Sequence, residues 1–533
     1  MSGYSQVIPA REWVSRSEVR VSALAAWLVP SVGAAIFAVT LLHVLFLSEG
    51  TRVLFRDSDA GWHIRNGEAI LTNASVPRVD SFSYTHAGRP WFAWEWLSDA
   101  VLGAAHQLAG PSGVALLAAL VIALTAWGSA RLALSLGGNL FLTAVATVLL
   151  LGATSIHWLA RPHIFSWLIA LVFLAITEHD RRRPSRALYW LPALACLWAN
   201  LHGSFLLGPG ILFLYAVGEW LQGLRNPEFG IRDSKNPNPE SRISSRQGRR
   251  FAVVCLASLA ATFINPYGWS LHQHVFAYLQ NTYLMDHISE FRSFSFHAPG
   301  AIYVELFLLA AVLGALALIR QRAYGPALLA FALLHMSLYS ARHLPTAAVL
   351  LLPLCVAALT REAENWPGWR PLLAYSERLR AIDQRVCGVA LVALALVASV
   401  VGVRGLARDG RVGFHPAQFP AGAADYIEQR GLDQRVFARI FAKDQWGGYL
   451  IYRFEGRLKV FVDGRSDFYG TDLLETYAKV VEVKPGWNAV LKQYGVQFVL
   501  TPTDHALASA LELSLDWKRV YTDSVATVFE RTS

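Results

Sequence analysis

Charge is what this sequence has least of. Asp, Glu, Lys and Arg make up only 16% of its 533 residues, while 54% are hydrophobic; a soluble domain carries about a quarter charged residues. With a mean hydropathy of +0.35, the composition excludes an ordinary soluble chain. Cysteine is scarce too. Cys196, Cys255, Cys355 and Cys387 all fall in or at the ends of apolar runs, so no disulfide framework is indicated. There is no Gly-rich phosphate loop of the Walker type, no paired CxxC and no HExxH, which removes common nucleotide and metal signatures. The "HQH" at 272–274 lacks further ligands nearby and is weak as a metal site. The formal net charge of +9 does not point to nucleic acid. Most of the excess Lys and Arg sits in short loops between apolar runs, where such residues set membrane orientation.

What the sequence has instead is apolar length. A helix needs about twenty residues to cross a ~30 Å hydrocarbon core. Candidate runs cover 21–48, 112–134, 139–159, 163–179, 187–201, 204–222, 251–264, 301–319, 325–341, 345–360 and 387–404. The expected fold class is a multi-pass α-helical membrane protein of about eleven spans, ending in a soluble α/β domain. The run after the polar residues 1–20 is too long for a signal-peptide core and reads as a retained first span. Arg-rich stretches at the N-terminus, 179–186, 232–250, 320–322 and 361–386 mark the cytoplasmic side. Within them, 223–250 reads as a flexible loop rich in Asn, Pro and Ser. The extracytoplasmic side then receives 49–111, 160–163, 200–204, 265–294, 341–345 and everything after 404. The organisation is thus a cytoplasmic segment 1–20, a membrane domain 21–404 with a large first loop 49–111, and an extracytoplasmic domain 405–533.

That partition rests on Lys and Arg density, yet it gathers nearly every unusual polar residue near a span end onto one face. Arg161 and His163, Asn200 and His202, and Arg342 and His343 each follow or interrupt an apolar helix there. Ionisable groups so placed face a bundle interior or a wet cavity more often than lipid. Opposite them, "FRDSDAGWHIRNG" (55–67) brings Asp57, Asp59 and His63, and Glu95 follows in "PWFAWEWL". The stretch "GWHIRNGEAILTN" (61–73) has the pattern of a short amphipathic helix lying on the membrane. Trp91, Trp94 and Trp96 suit an interfacial aromatic belt. Chemically, Arg offers a planar fork to phosphate oxygens and His a further donor. A carboxylate deprotonates a hydroxyl or holds a divalent cation. A lipid-linked phosphate leaving group and an attacking hydroxyl need such a pair of poles.

These features resemble the GT-C superfamily of polyprenyl-phosphate-dependent glycosyltransferases, in the branch of protein mannosyltransferases and lipid A aminoarabinose transferases. Asp57-Ser58-Asp59 stands where that branch has an acidic pair, and "GRPWFAWEWL" (88–97) resembles its later Pro-aromatic stretch, without the Lys-Pro-Pro signature. The likeness covers 21–180 best. It extends to bacterial membrane proteins with "DxDxxWHI…G", "ARPHxFSW" and "NLHG" patterns. The resemblance implies an enzyme of the bacterial cytoplasmic (inner) membrane, with inverting transfer from a polyprenyl-phosphate sugar to an extracytoplasmic acceptor. It implies Asp57 as general base, with Asp59 assisting it or joining it in holding a divalent cation (Mg or Mn). Arg161, His163, His202, Arg342 and His343 would clamp the lipid phosphate. Glu95 and His63 would position acceptor or sugar hydroxyls.

After 404 the composition becomes that of a small α/β domain. Helices are expected over 420–431, 472–483 and 487–495, and strands over 435–441, 448–454, 458–464, 496–502, 518–523 and 525–531. Polar signals cluster in "DQWGGYL" (444–450) and "FVDGRSDFYG" (461–470). They loosely resemble the Trp-Trp-Asp-Tyr-Gly region of oligosaccharyltransferase catalytic subunits, but lack its acidic residue. Acceptor or sugar binding by Trp446, Tyr449, Asp463, Arg465 and Asp467 is the corresponding expectation; turns and core aromatics are the plainer reading. A transporter or flippase for lipid-linked glycans, or an envelope scaffold, stays open as a non-catalytic alternative. Against the transporter, no convincing internal repeat is visible and the polar groups lie to one side instead of near mid-membrane.

Overall fold

The computed structural model describes residues 22–47, 49–224, 239–434 and 438–532. The segment 1–20, the middle of the 223–250 loop and the first residues of the strand expected at 435–441 lie outside the described residues. A helix occupies every expected span. Among the described residues, eight helices are long and apolar enough to cross a membrane: Ala23–Phe46, Trp96–Ser135, Leu140–His157, His163–Arg182, Gly203–Leu224, Ala301–Arg320, Ala341–Glu364 and Val389–Arg408. The other three expected spans fall on Leu191–Leu201, Pro239–Ala261 and Tyr324–Tyr339, which are shorter or begin in polar sequence. Outward-facing Val145, Val148, Leu309, Leu316, Leu394 and Val401 stay exposed, as a surface covered by lipid requires. The chain is a multi-pass membrane protein.

Local chemistry sets the helix ends. Ser31 caps Val32–Phe46 by accepting the Ala34 N–H, and Asn139 accepts from Phe141 and Leu142 to start Leu140–Thr154. Pro30, lacking an N–H, separates Ala23–Leu28 from Val32–Phe46. The Trp96–Ser135 helix breaks at Ala109–Gly110, where Gly110 takes φ 58 just before Pro111. Its apolar run therefore begins at the expected place, preceded by a helical arm that belongs to the first loop.

That loop differs from expectation. The Asp59–Asn73 helix is sandwiched between protein elements, with Trp62, Ile64 and Ile70 buried, where the sequence pattern reads as a helix lying on the membrane. Glycines permit the sandwich. A Cβ at Gly67 would fall 1.8 Å from the Asp99 carbonyl oxygen, and one at Gly61 would fall 2.2 Å from that of Gly448. The tryptophans are likewise internal contacts more than a belt. Trp91 is buried, Trp94 packs edge-on against His274, and the Trp96 indole donates to Asn200 Oδ1 at 2.9 Å.

The C-terminal region has a four-stranded sheet: β1 (Ile440–Ala442), β2 (Phe498–Pro502), β3 (Trp517–Thr522) and β4 (Ala526–Arg531), in the order β1-β2-β4-β3. β1 runs parallel to β2, and the other two pairings are antiparallel. Two expected strands are corrected. Residues 448–454 lie in and just after the helix Asp444–Arg453, because Trp446, Tyr449, Leu450 and Phe454 share one face at helical spacing. Residues 458–464 do not join the sheet. Val460 bridges Ser83, its N–H donating to the Phe82 carbonyl and its own carbonyl accepting from Tyr84. One hydrophobic cluster thus joins Trp62, Phe82 and Trp91 of the first loop to Trp446, Leu450 and Phe454.

Gly448 is a tight joint between the first loop and the C-terminal region. A Cβ there would meet the Ser58 carbonyl oxygen at 2.2 Å, a backbone atom that cannot rotate away. Gly448→Ala is expected to destabilise by about 1–3 kcal/mol, seen as a lower Tm and faster proteolysis after residue 404. Gly405→Ala, with nothing within 4 Å, serves as the control that leaves Tm unchanged or raised.

Candidate active site

The segment between Leu140–Thr154 and His163–Arg182 is too short to wander. The Ala160 N–H donates to the Leu54 carbonyl at 2.8 Å, which tethers it to the 3-10 helix Gly50–Phe55. Arg161 is thereby presented to the acidic motif. One guanidinium nitrogen donates to Asp57 Oδ2 at 2.6 Å and the other lies 3.0 Å from Asp59 Oδ2. Asp57 Oδ1 also accepts the Asp59 N–H at 2.9 Å. A third carboxylate completes the cluster. Glu290 Oε2 is 4.0 Å from Arg161 and 3.4 Å from His157, while Oε1 accepts from Arg342 at 3.2 Å. Three bonds hold these stretches of chain together: Ser340 Oγ to the Glu290 carbonyl, the Ala341 N–H to the Arg292 carbonyl and Ser293 Oγ to the Tyr339 carbonyl.

The electrostatics divide the carboxylates. Burial, reinforced by neighbouring Asp57, pushes Asp59 up to about 8 despite Arg161. Glu290 is partly buried too, but Arg342 and Arg161 hold it well below the usual carboxylate range. Asp59 also abuts the C-terminal region, since a Cβ at Gly464 would fall 1.8 Å from its Oδ1. That close approach is what the glycine of "VDGR" provides.

A second cluster lies on the helical arm. His63 Nδ1 is 2.6 Å from Asp99 Oδ1, Asn66 donates to Asp99 Oδ2 at 2.6 Å, and His63 Nε2 faces Glu95 Oε2 at 3.8 Å. Glu95 Oε1 is 3.3 Å from His202 Nε2. Burial, with Asp99 next, pushes Glu95 up to about 8. Burial and Arg161 hold His63 well below its ordinary value. Burial, then Arg342, does the same to His202. Asp467 pairs with His274 at 2.9 Å, whose ring stacks on Phe92.

The expected residues therefore separate. Asp57, Asp59, Arg161 and Arg342 meet in one ion cluster, and His63, Glu95 and His202 in another. His163 is engaged by the His157 carbonyl at 2.8 Å and His343 by the Met336 carbonyl at 3.1 Å, so neither extends the arginine pair. Trp446 and Tyr449 are core residues: the Trp446 indole donates to the Gln418 carbonyl, and Tyr449 packs on Phe414 and Phe419. Neither ring has a face for a sugar. Asp463 and Arg465 form a buried pair that includes Asp80 and Tyr469, a staple instead of an acceptor site. The sequence pattern does not single out Glu290, His157, Asp99 or Asn66. Glu290 is one of only two acidic residues in 265–294, and Asp99 follows Glu95 by one helical turn; those are the available signals.

Where the resemblance allows a divalent cation, between Asp57 and Asp59, this structure has Arg161. Arg161 already supplies the positive charge between Asp57 and Asp59, and no group of three or more His, Cys, Asp or Glu suited to a metal occurs among the described residues. "HQH" does not supply one: His272 bonds Thr262 Oγ1 while His274 bonds Asp467.

No protein-family model and no curated protein matches this sequence. Solved structures do. The Archaeoglobus fulgidus oligosaccharyltransferase in its apo form aligns with a TM-score of 0.54 at 11% identity, covering 89% of this chain and 69% of that one. The same enzyme with an inhibitory peptide and a dolichol-phosphate aligns at 0.53 and 11%, covering 94% and 74%. Its complex with Zn and sulfate aligns at 0.50 and 11%, covering 94% and 73%. At such identity the likeness is one of fold. The chain has the fold of the Archaeoglobus fulgidus oligosaccharyltransferase.

Proposed function

We propose that this chain transfers a sugar from a polyprenyl-phosphate donor to a hydroxyl on an extracytoplasmic glycan, lipid or protein, in the bacterial cytoplasmic membrane with the domain after residue 404 outside. The observation that carries this reading is the pairing of Arg161 and Arg342 through Glu290, beside Asp57 and Asp59, on the fold of an enzyme solved with a dolichol-phosphate. Two guanidinium groups receive the phosphate as the glycosidic bond breaks, which is where charge develops. Asp57, Asp59 and Glu290 fix their positions. Attack from the side opposite the phosphate inverts the anomeric carbon.

The test is incubation of purified protein with radiolabelled polyprenyl-phosphate sugars and an envelope extract, beside Asp57→Asn. Transfer by the wild type and its loss in the variant support the reading; equal transfer by both removes Asp57 from the site. Movement of the labelled lipid across vesicles without transfer turns the assignment to a transporter. Because Arg161 occupies the space between the two aspartates, transfer is expected to persist within about two-fold after EDTA treatment and dialysis. Were a cation holding the donor phosphate, its removal would slow transfer by roughly 10²-fold.

A further inference from the structure

The buried imidazole of His63 poses a problem that the donor-phosphate chemistry leaves unsolved. His63 is fully buried, and its Nε2 has no hydrogen-bond partner. An orphan nitrogen in such a place is costly and calls for a reason. With Nδ1–H donated to Asp99 at 2.6 Å, Nε2 points its lone pair at Glu95 Oε2, 3.8 Å away. Asp99 is itself fixed by Asn66. Glu95 reaches 9% exposure while His63 and Asp99 are at 0% and 1%, so Glu95 is the member of the row nearest solvent.

Asp57, the expected base, is differently placed. Its Oδ1 accepts a backbone N–H and its Oδ2 an arginine. Glu95 is met by no arginine and no backbone donor within bonding distance among the described residues; its ionic contacts are His63 and His202. A carboxylate flanked by two imidazoles is built to pass a proton, and one clamped by a guanidinium is built to hold a charge.

We infer that Glu95 is the proton acceptor of the transfer and that His63 and Asp99 position it from behind, an assignment that rests on the glycosyltransferase reading. The acceptor oxygen forms its bond to the anomeric carbon as that carbon's bond to the phosphate oxygen breaks. The electron pair leaves with the polyprenyl phosphate against Arg161 and Arg342, and the hydroxyl proton passes to Glu95. The proton stays on Glu95, because burial and Arg161 hold His63 well below its ordinary value; His63 Nε2 faces the protonated carboxyl and Asp99 fixes the ring. Release to solvent on product departure resets the row. Glu95 is catalytic in this scheme; His63 and Asp99 are positioning residues.

The groups that set its titration are His63 and His202 in contact, with Asp99, Arg342, Arg161 and Asp467 further out. Burial and Asp99 outweigh the arginines and push Glu95 up to about 8, near the value that suits a general base at neutral pH. Only its ionised form accepts the proton, so kcat rises with pH through about 8. Asp57→Asn, which frees Arg161, loses rate but keeps that rise.

The experiment compares pH–rate profiles of wild type, Glu95→Gln and Asp99→Asn, with an infrared titration of the protonated carboxyl band that Glu95→Gln removes. The expected results are a kcat loss of at least about 10²-fold in Glu95→Gln, with KM within a few-fold and the alkaline rise abolished. In Asp99→Asn the plateau kcat falls on the order of ten-fold or more while the midpoint moves to lower pH, since one negative neighbour is gone. A merely structural Asp99 would move the midpoint through its lost charge but leave the plateau alone. Glu95→Gln with the wild-type rate and profile overturns the proposal. If the wild type transfers no donor, the glycosyltransferase reading falls by itself, and the infrared arm still decides the positioning. A Glu95 band whose midpoint moves in His63→Gln supports it, and one that ignores His63→Gln overturns it.

Discussion

Arg161→Gln is expected to abolish transfer, by at least about 10³-fold in kcat, and to lower stability by roughly 3–5 kcal/mol. Among the described residues the arginine is the single positive charge in contact with both Asp57 and Asp59, and it also reaches Glu290. With its side chain only 16% exposed, water compensates little of the loss. Three carboxylates would then face each other across a cavity without their common counter-ion. Asp59, already pushed up to about 8 by burial and Asp57, would take a proton, and the fork that fixes Arg161 for the donor phosphate would be gone. Arg161→Lys is expected to recover less than a tenth of the rate. An ammonium is a point charge and cannot span two carboxylates at once. The more telling variant is Arg161→Ala. It leaves a space flanked by Asp57, Asp59 and Glu290, oxygen ligands of the kind a divalent cation takes. Added Mn is expected to restore part of the rate to Arg161→Ala and none to the wild type. The radiolabel assay measures both, with Tm recorded in parallel. Wild-type transfer by Arg161→Gln would remove the ion cluster from the chemistry altogether.

How much of this was legible follows from the range of each interaction. Spans are local: each is decided by about twenty consecutive side chains, and every expected run holds a helix. The meeting of Asp57 with Arg161 and of Glu290 with Arg342 is long-range. Positive charge in the Arg-rich loops still assigned all four segments to one face, because orientation couples every loop of a membrane chain. Which residues on that face touch was not legible. His163 and Arg161 are neighbours in sequence, yet a short 3-10 turn at 155–157 sends one to a backbone carbonyl and the other to the aspartates. "GYLIYRF" misled in the opposite way. Its apolar and polar residues alternate loosely as in a strand, but Trp446 upstream and Phe454 at its end complete a helical face. "VDGRSD" carried no sign of its partner, Asp80, which lies far up the chain from Arg465 in the first loop.

That partner defines the second large effect. Arg465 is 2% exposed and ion-paired to Asp463 at 2.7 Å and Asp80 at 2.8 Å. Its guanidinium lies within 6.0 Å of the ring centres of Trp62, Phe82, Trp91, Phe468 and Tyr469. Asp80 in turn folds the first loop, accepting from the N–H groups of Phe82 and Ser83 and from the Ser83 hydroxyl. Arg465→Met keeps much of the volume but leaves two buried carboxylates unpaired, a loss of about 3–5 kcal/mol. The expected result is a strongly lowered Tm, with proteolysis beginning in 74–94 and after residue 404, since the arginine joins those two regions. Arg465→Lys is expected to fall between, keeping the charge and losing the bidentate contact with Asp463. The double variant Arg465→Met with Asp80→Asn should be milder than the sum of its parts, because each change removes part of the charge the other strands. Melting of Arg465→Met at the wild-type temperature would show that water reaches these carboxylates and that the joint is held by its aromatic rings alone. Loss of stability with kcat intact in the surviving folded fraction would instead mark Arg465 as a strut, separate in role from Arg161, although each arginine is bound by a pair of aspartates.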